Sequence, residues 1–252
     1  MKPEEAFHAF SPAHLVVIFL TIALPLGLAA VVRASGSRWL ERVVAMFLAA
    51  CLTMNYLGAA IFLWHHHHLY WAEMLPFQLC DWAMFVIIVA LINGRRSWFE
   101  IAYFWGIGGT LQAIITPNLP FGFPDFRFFS FFIAHSGIVS GVIFLMATRG
   151  YRPHIFSIVR TFAWSELYFA VTLFVDFVTG VNYGFLLHKP EMFSLLSYLS
   201  DWRPLYLLQM HGLALLFFSA LYVPFAFADL LQALRIRRAT CEARLNSTPS
   251  SP

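Results

Sequence analysis

Apolar residues along this chain gather into long stretches and show no alternation typical of strands. Seven stretches come close to the roughly 20 mostly apolar residues that a membrane-spanning helix needs. They cover residues 13–32, 43–64, 74–93, 97–116, 128–147, 157–180 and 205–228. The fourth and sixth are the most polar, and a bundle can shield polar groups on its interior faces. The pattern predicts an all-α, polytopic membrane bundle of about seven transmembrane helices.

The composition favours a membrane domain over a water-soluble globule. Hydrophobic residues make up 60% of the chain and charged residues 12%, whereas about a quarter of a soluble protein is charged. We expect an outer N-terminal segment (residues 1–12), a seven-helix transmembrane domain (13–230) and a cytoplasmic tail (231–252). The polar, Ser- and Pro-rich end of the tail is expected to be mostly disordered. The N-terminus lacks the basic region of a signal peptide, so the first stretch is expected to be retained as a span.

Basic residues are distributed unequally between the two ends of the predicted spans. Twelve lie at one end: Arg33, Arg38, Arg42, Arg95, Arg96, Arg149, Arg152, Arg160, Arg235, Arg237, Arg238 and Arg244. The other end holds four, namely Lys2, Arg127, Lys189 and Arg203. Because cytoplasmic loops are enriched in Lys and Arg, the bias predicts an outer N-terminus and a cytoplasmic C-terminus. The net charge of +3 forms no basic face, so no nucleic-acid partner is expected.

Polar side chains inside the predicted spans fall at a common depth. With a rise of about 1.5 Å per helical residue, a set from five different spans lies in the outer half of the bilayer. The set is Cys80, Asp81, Gln112, His135, Asp176 and His211, with Gln78 beside Cys80. Polar groups in lipid usually face the interior of a bundle. The sequence therefore predicts one polar pocket that opens toward the outer leaflet.

A thiol and an imidazole at one depth suggest acyl chemistry. Histidine can take the proton of a cysteine, and the thiolate then attacks an ester carbonyl. In this hypothesis Cys80 is the nucleophile, His135 is the base, and Asp176 or Asp81 orients the imidazole. At this depth the substrate carbonyl is the ester linkage of a phospholipid.

The remaining polar residues of the layer are expected to form the substrate pocket. Gln112 could donate a hydrogen bond to an oxyanion, and Gln78, Asp81 and His211 would line the pocket. No metal ion or other cofactor is expected. The four consecutive histidines at 65–68 cannot all converge on one ion, so we expect a solvated outer loop there.

Each functional interpretation has a structural alternative. A cysteine in a membrane helix is most often a small packing residue, and His211 could hydrogen-bond a neighbouring helix. The aspartates could pair with histidines for structural reasons alone. Gly137 and Gly141 form a small-xxx-small pattern, which is typical of close helix packing in lipid.

Several motifs resemble those of the YwaF-like bacterial integral membrane proteins. They are Leu75-Pro-Phe-Gln-Leu-Cys80, Tyr103-Phe-Trp-Gly-Ile-Gly-Gly-Thr-Leu-Gln-Ala113, Thr116-Pro-Asn118 and Phe131-Phe-Ile-Ala-His135. The resemblance covers about residues 7 to 230. This family is similar to a eukaryotic membrane acyltransferase that remodels ether phospholipids, and the likeness implies a catalytic cysteine and histidine, here Cys80 and His135. It also implies a multi-pass protein of the bacterial cytoplasmic membrane whose partners are membrane lipids, with a phospholipid or acyl donor as substrate.

Three functions therefore remain open. The first is a thiol-dependent lipid acyltransferase or lipase that acts in the outer half of the bilayer. The second is a proton-coupled small-solute transporter that uses Glu166 and the intramembrane aspartates, although no internal repeat or pair of broken helices supports it. The third is a haem- or quinone-binding protein with His14, His135 or His211 as ligands. The sequence makes no prediction of the oligomeric state.

Overall fold

The computed structural model describes residues 6–66, 71–117, 119–190 and 194–246. Its α-helices are α1 Pro12–Ser35, α2 Arg38–His66, α3 Leu79–Asn93, α4 Arg96–Trp105, α5 Leu111–Ile115, α6 Phe126–Arg149, α7 Ile155–Thr179 and α8 Arg203–Asn246. A π-helical turn, Gly106–Thr110, joins α4 to α5 without a break. Within the described ranges the only β-pairing is an isolated bridge between Ala6 and Phe121. The predicted all-α class is confirmed.

Five helices in the described part of the chain are long and apolar enough to cross a membrane. They are α1, α2, α6, α7 and α8, and α3 is a shorter apolar helix. The prediction of a multi-pass membrane protein is therefore confirmed. The number of seven spans and the orientation stay predictions.

Tight turns at one end of the bundle make successive helices antiparallel. Gly36, Gly94 and Gly150 follow α1, α3 and α6 with φ values of 62°, 64° and 63°. Glycine adopts this left-handed conformation without a steric penalty, and it ends a helix within one residue. We call this end, with its loops α1–α2, α3–α4 and α6–α7, the arginine-rich face. The opposite end is the cavity face.

Helix α6 lies at the centre of the bundle and packs against α1, α2, α3 and α4. Two of its glycines permit close approach. A Cβ on Gly141 would lie 2.7 Å from Ile87 Cγ1 of α3, and a Cβ on Gly137 would lie 2.6 Å from Leu52 Cδ2 of α2. Both separations are too short for a side chain, which supports the packing interpretation of the small-xxx-small pattern. The direct contact of α3 with α6 brings together the helices that carry Cys80 and His135.

Helix α3 begins later than the predicted third span. The span was expected over 74–93, whereas residues Trp71–Met74 form a separate 3₁₀ turn and the α-helix starts at Leu79. Pro76 explains the break, because proline disfavours helical geometry in the residue before it. The Asp81 carboxylate then accepts a hydrogen bond from the Gln78 backbone N–H at 3.1 Å and caps the helix. Cys80 therefore lies in the first turn of α3. The predicted span, which began at residue 74, would have placed it in the second turn.

Two predicted segments differ in extent from the helices observed. Helix α8 continues to Asn246, so the segment expected to be a disordered tail begins as helix, and residues 247–252 lie outside the described residues. The helical spacing of Phe193, Leu196 and Leu199 in the sequence predicts a short interfacial helix over residues 191–199. The structure has a 3₁₀ turn at Leu195–Tyr198, and residues 191–193 lie outside the described range. Helix α2 includes the first two of the four histidines at 65–68, and the last two are not described.

Candidate functional site

A cavity of about 250 Å³ lies between α2, α3 and α6 near the cavity face. We call it the Cys80–His135 cavity. Four of the predicted site residues line it, namely Cys80, Asp81, Gln78 and His135. Its other polar lining residues are Asn55, Tyr56, Ser130 and Tyr183. The structure therefore places the predicted thiol and imidazole around one space.

Hydrogen bonding fixes the tautomer of His135. Its Nδ1 lies 2.7 Å from the carbonyl oxygen of Phe131, one turn earlier in α6. A carbonyl oxygen can only accept, so Nδ1 carries the proton and the neutral ring keeps its lone pair on Nε2. The ring also stacks on Phe131 with 4.1 Å between centroids. The side chain is only 9% exposed, and no partner of Nε2 is recorded among the described residues, so this atom is available as a base.

The start of α6 is anchored by Asp125, the residue that precedes the helix. This carboxylate accepts a hydrogen bond from the Arg127 backbone N–H at 2.8 Å and caps the helix. The guanidinium of Arg127 also donates to it, which holds the pKa of Asp125 below its ordinary value. These bonds fix the helical turn that leads to His135.

Cys80 occupies the second position of α3 and is half-buried. The residue that precedes the helix, Gln78, reaches the loop after α7 through its side-chain oxygen, which accepts from the Gly184 N–H at 3.2 Å. Cys51 is also free and half-buried, but it does not line the cavity. Cys51 therefore serves as an internal control for Cys80.

The aspartates proposed to orient the imidazole make other hydrogen bonds. Asp81 caps α3. Asp176 is completely buried, and its Oδ1 accepts from the Tyr183 backbone N–H at 2.8 Å. The hydroxyl of Tyr183 donates to the Ala72 carbonyl, and its side chain lines the cavity. Asp176 thus holds the loop that closes one side of the cavity, and the position at His135 Nδ1 is filled by a backbone carbonyl.

Gln112 and His211 lie away from the cavity. Gln112 is exposed, and its amide donates to the Thr116 hydroxyl at 2.6 Å. His211 lies between α7 and α8, where Nδ1 contacts the Leu207 carbonyl at 2.6 Å and Nε2 lies 3.3 Å from a Glu166 carboxylate oxygen. Equal depth in the bilayer does not determine which side of its helix a residue occupies, and neither Gln112 nor His211 lines this cavity.

The sequence hypothesis did not include Tyr56 and Tyr183 of the cavity wall. Tyr56 packs edge-on against Phe85 of α3, with 5.4 Å between ring centroids. Its neighbour Asn55 donates to the Ser130 carbonyl of α6 at 3.0 Å. A polar pair inside the apolar α2 is a signal that could have identified Tyr56. The hydrophobic pattern of the predicted spans does not indicate Tyr183, because a loop carries it to the cavity.

The histidines considered as haem ligands do not share a space. His14 is fully buried, its Nδ1 accepts from the Phe10 N–H at 2.9 Å, and its Nε2 donates to the Ile114 carbonyl at 2.7 Å. Both of its ring nitrogens are therefore used within the protein. Across the described residues, no group of three side chains could hold a metal ion.

The membrane-crossing helices and the polar cavity among them define a polytopic α-helical membrane protein. Comparison with protein families gives a more specific result, because the TMEM164 family matches residues 9–222. This chain belongs to the TMEM164 family. Neither the curated proteins nor the solved structures include a match. The matched range contains every residue that lines the cavity.

Substitution of Asp176 tests its role as an anchor. Asp176→Ala leaves the buried Tyr183 N–H without its acceptor, at a cost of about 1–3 kcal/mol. We expect faster hydrogen exchange at the Tyr183 amide, measured by mass spectrometry. Asp176→Asn keeps an acceptor oxygen and should exchange almost as slowly as the wild type. Equal exchange in the Ala variant and the wild type would refute the anchoring role.

Proposed function

We propose that this protein is a thiol-dependent acyltransferase or lipase that acts on the ester carbonyls of membrane phospholipids. The observation that carries the proposal is the cavity that Cys80 and His135 both line, together with the Nε2 of His135, which has no hydrogen-bond partner among the described residues. A nucleophile and a base within reach of one substrate are the minimum requirement for covalent acyl transfer. The lipid environment supports an ester lipid as substrate.

The first half-reaction forms an acyl-enzyme. Nε2 of His135 takes the thiol proton while Sγ of Cys80 bonds to the ester carbonyl carbon. The carbon–oxygen bond to the glycerol backbone then breaks, and the leaving oxygen receives the proton from the imidazolium. The products are a lysophospholipid and an acyl thioester on Cys80.

The second half-reaction releases the acyl group. The hydroxyl of an acceptor lipid gives its proton to Nε2 while its oxygen attacks the thioester. The carbon–sulfur bond breaks, and the thiolate takes the proton back from His135. Water as the acceptor would give a free fatty acid, which is the lipase outcome.

A backbone carbonyl replaces the orienting carboxylate in this mechanism. The Phe131 carbonyl holds His135 in the tautomer with a free Nε2, which is the task of the aspartate in a Ser-His-Asp triad. Asp176 then acts as a positioning residue, since it holds the Tyr183 loop at the cavity. We extend the proposal to the group that donates a hydrogen bond to the oxyanion. Tyr56 and Gln78 line the cavity and Gln112 does not, so the donor is the Tyr56 hydroxyl or the Gln78 amide.

The proposal includes a topology of seven spans with an outer N-terminus and a cytoplasmic C-terminus. Helices α3 and α4–α5 would join the five long helices, because α4, the π turn and α5 run continuously from Arg96 to Ile115 and reach the roughly 20 residues that a span needs. The unequal distribution of basic residues supports the orientation. A YwaF-like protein in the bacterial cytoplasmic membrane is the further proposal that the motif resemblance supports.

We favour the enzyme over a proton-coupled transporter, although one observation supports transport. His211 Nε2 lies 3.3 Å from a Glu166 carboxylate oxygen, and an acid–base contact inside a membrane bundle is typical of proton pathways. This pair does not line the Cys80–His135 cavity. Solute flux into proteoliposomes that disappeared in Glu166→Gln would favour the transporter.

The main test compares cysteine and histidine variants of the purified protein. Cys80→Ser and His135→Ala should each lower acyl exchange between phospholipids by roughly hundredfold or more, because the nucleophile or its base is lost. Cys51→Ser is the matched control and should keep full activity. Exchange is followed by mass spectrometry of labelled acyl chains. Unchanged exchange in both the Cys80 and His135 variants would end the proposal.

A second comparison identifies the oxyanion donor. If Tyr56 stabilises the tetrahedral intermediate, Tyr56→Phe should lower kcat by roughly hundredfold with a small change in KM. Gln112→Leu should retain activity, since Gln112 is exposed and bonded to Thr116. A large loss in Gln112→Leu with none in Tyr56→Phe would restore the assignment made from the sequence.

A further inference from the structure

A buried carboxylate on the arginine-rich face is surrounded by cationic side chains. Glu100, in the second turn of α4, is 1% exposed. Arg96 Nε lies 3.1 Å from its Oε1, His154 Nε2 lies 3.1 Å from the same oxygen, and Arg160 contacts Oε2. We call these four residues the Glu100 cluster. They join the first two turns of α4 to the first two turns of α7.

The Glu100 cluster carries more positive than negative charge. Two guanidinium groups that are always protonated face a single carboxylate, and protonation of His154 would add a third positive charge. The next arginine, Arg152, is paired with Asp229 at 2.7 Å and does not neutralise the cluster. No other carboxylate pairs with Arg96 or Arg160 in the described ranges. The excess charge remains at the surface.

The guanidinium groups keep unused hydrogen-bond donors. Each has five N–H groups. Arg96 makes an ion-pair contact with Glu100 through Nε and donates from one terminal nitrogen to the Arg152 carbonyl at 2.8 Å, and Arg160 donates from one terminal nitrogen to Glu100. Their side chains are 47% and 41% exposed. The buried carboxylate thus fixes two guanidinium groups side by side, with donors left at the surface.

Two helix N-termini add to the positive potential at this place. Helices α4 and α7 both begin on the arginine-rich face, at Arg96 and Ile155. The backbone N–H groups of a first helical turn carry a partial positive charge that attracts anions. His154, which precedes α7, directs its ring to Glu100 and does not cap the helix.

We propose that the Glu100 cluster binds a phosphate group through Arg96 and Arg160, with Glu100 as the residue that positions them. Two adjacent guanidinium forks match the oxygen geometry of phosphate, which an ammonium group does not. The cluster lies at the end of the bundle opposite the Cys80–His135 cavity, so this site does not depend on the proposed acyl chemistry. The phosphate belongs to the headgroup of an anionic phospholipid in the adjacent leaflet or to a free phosphate.

Binding assays on the purified full-length protein in detergent test this site. Native mass spectrometry is used to titrate phosphatidic acid, phosphatidylcholine with the same acyl chains, and inorganic phosphate. We expect a preference for phosphatidic acid over phosphatidylcholine, and a loss of roughly tenfold or more in affinity in Arg160→Gln and in Arg96→Gln. Arg38→Gln, an exposed arginine of the same face outside the cluster, is the matched control and should bind as the wild type does.

The two phosphate sources are distinguished by the same titrations. If phosphatidic acid binds and inorganic phosphate does not, the site belongs to a lipid headgroup. If both ligands bind and Arg160→Gln weakens both equally, the site recognises phosphate itself. The proposal is overturned if neither phosphatidic acid nor inorganic phosphate binds. An equal loss in Arg38→Gln also overturns it, because the attraction would then be a general property of the charged face.

A charge-preserving variant covers the case in which Arg160→Gln fails to fold. Arg160→Lys keeps an ion pair with Glu100 but loses the second set of donors. It should unfold at the same temperature as the wild type and bind phosphatidic acid several-fold more weakly, in line with the loss of a charge-assisted bond. Unchanged affinity in folded Arg160→Lys would exclude recognition by the guanidinium fork.

Discussion

A polar group inside a lipid bilayer must find its hydrogen-bond partner within the protein, because no water is present to supply one. The histidines of this bundle obey that constraint in different ways. His14 bonds two backbone groups, and His211 bonds a carbonyl and contacts Glu166. His135 bonds the Phe131 carbonyl, its Nε2 has no hydrogen-bond partner among the described residues, and the residue lines a cavity together with Cys80. The proposed chemistry depends on that one unused nitrogen.

The same constraint explains the partners of the carboxylates in the bundle. Asp81 and Asp176 each accept a backbone N–H, and both bonds stabilise the cavity wall, one at the start of α3 and one at the Tyr183 loop. The buried charge of Glu100 is balanced by ion pairs with Arg96 and Arg160 at the arginine-rich face. Helix α4 and the π turn that follows it link the two ends. Gly106, the first residue of that turn, packs against Ile138 of the cavity wall, and a Cβ on Gly106 would lie 2.9 Å from Ile138 Cγ2.

Much of this architecture could be predicted from the sequence, because long apolar stretches and a rise of 1.5 Å per residue determine which polar residues share a depth. That reasoning selected Cys80 and His135, which do line one cavity. It could not determine the direction of each side chain around its helix, and Gln112 and His211 do not line this cavity. Pro76 carried a local signal for the late start of α3. The pattern of apolar stretches carried none for Tyr183, since a loop after α7 brings it to the cavity.

The most direct test of this account is to label membranes with an electrophilic acyl probe and to map the modified cysteine by mass spectrometry. The account predicts an adduct on Cys80, little or none on the equally half-buried Cys51, and loss of the Cys80 adduct in His135→Ala. Equal labelling of both cysteines, or a Cys80 adduct that does not depend on His135, would contradict the pairing of this thiol with this imidazole.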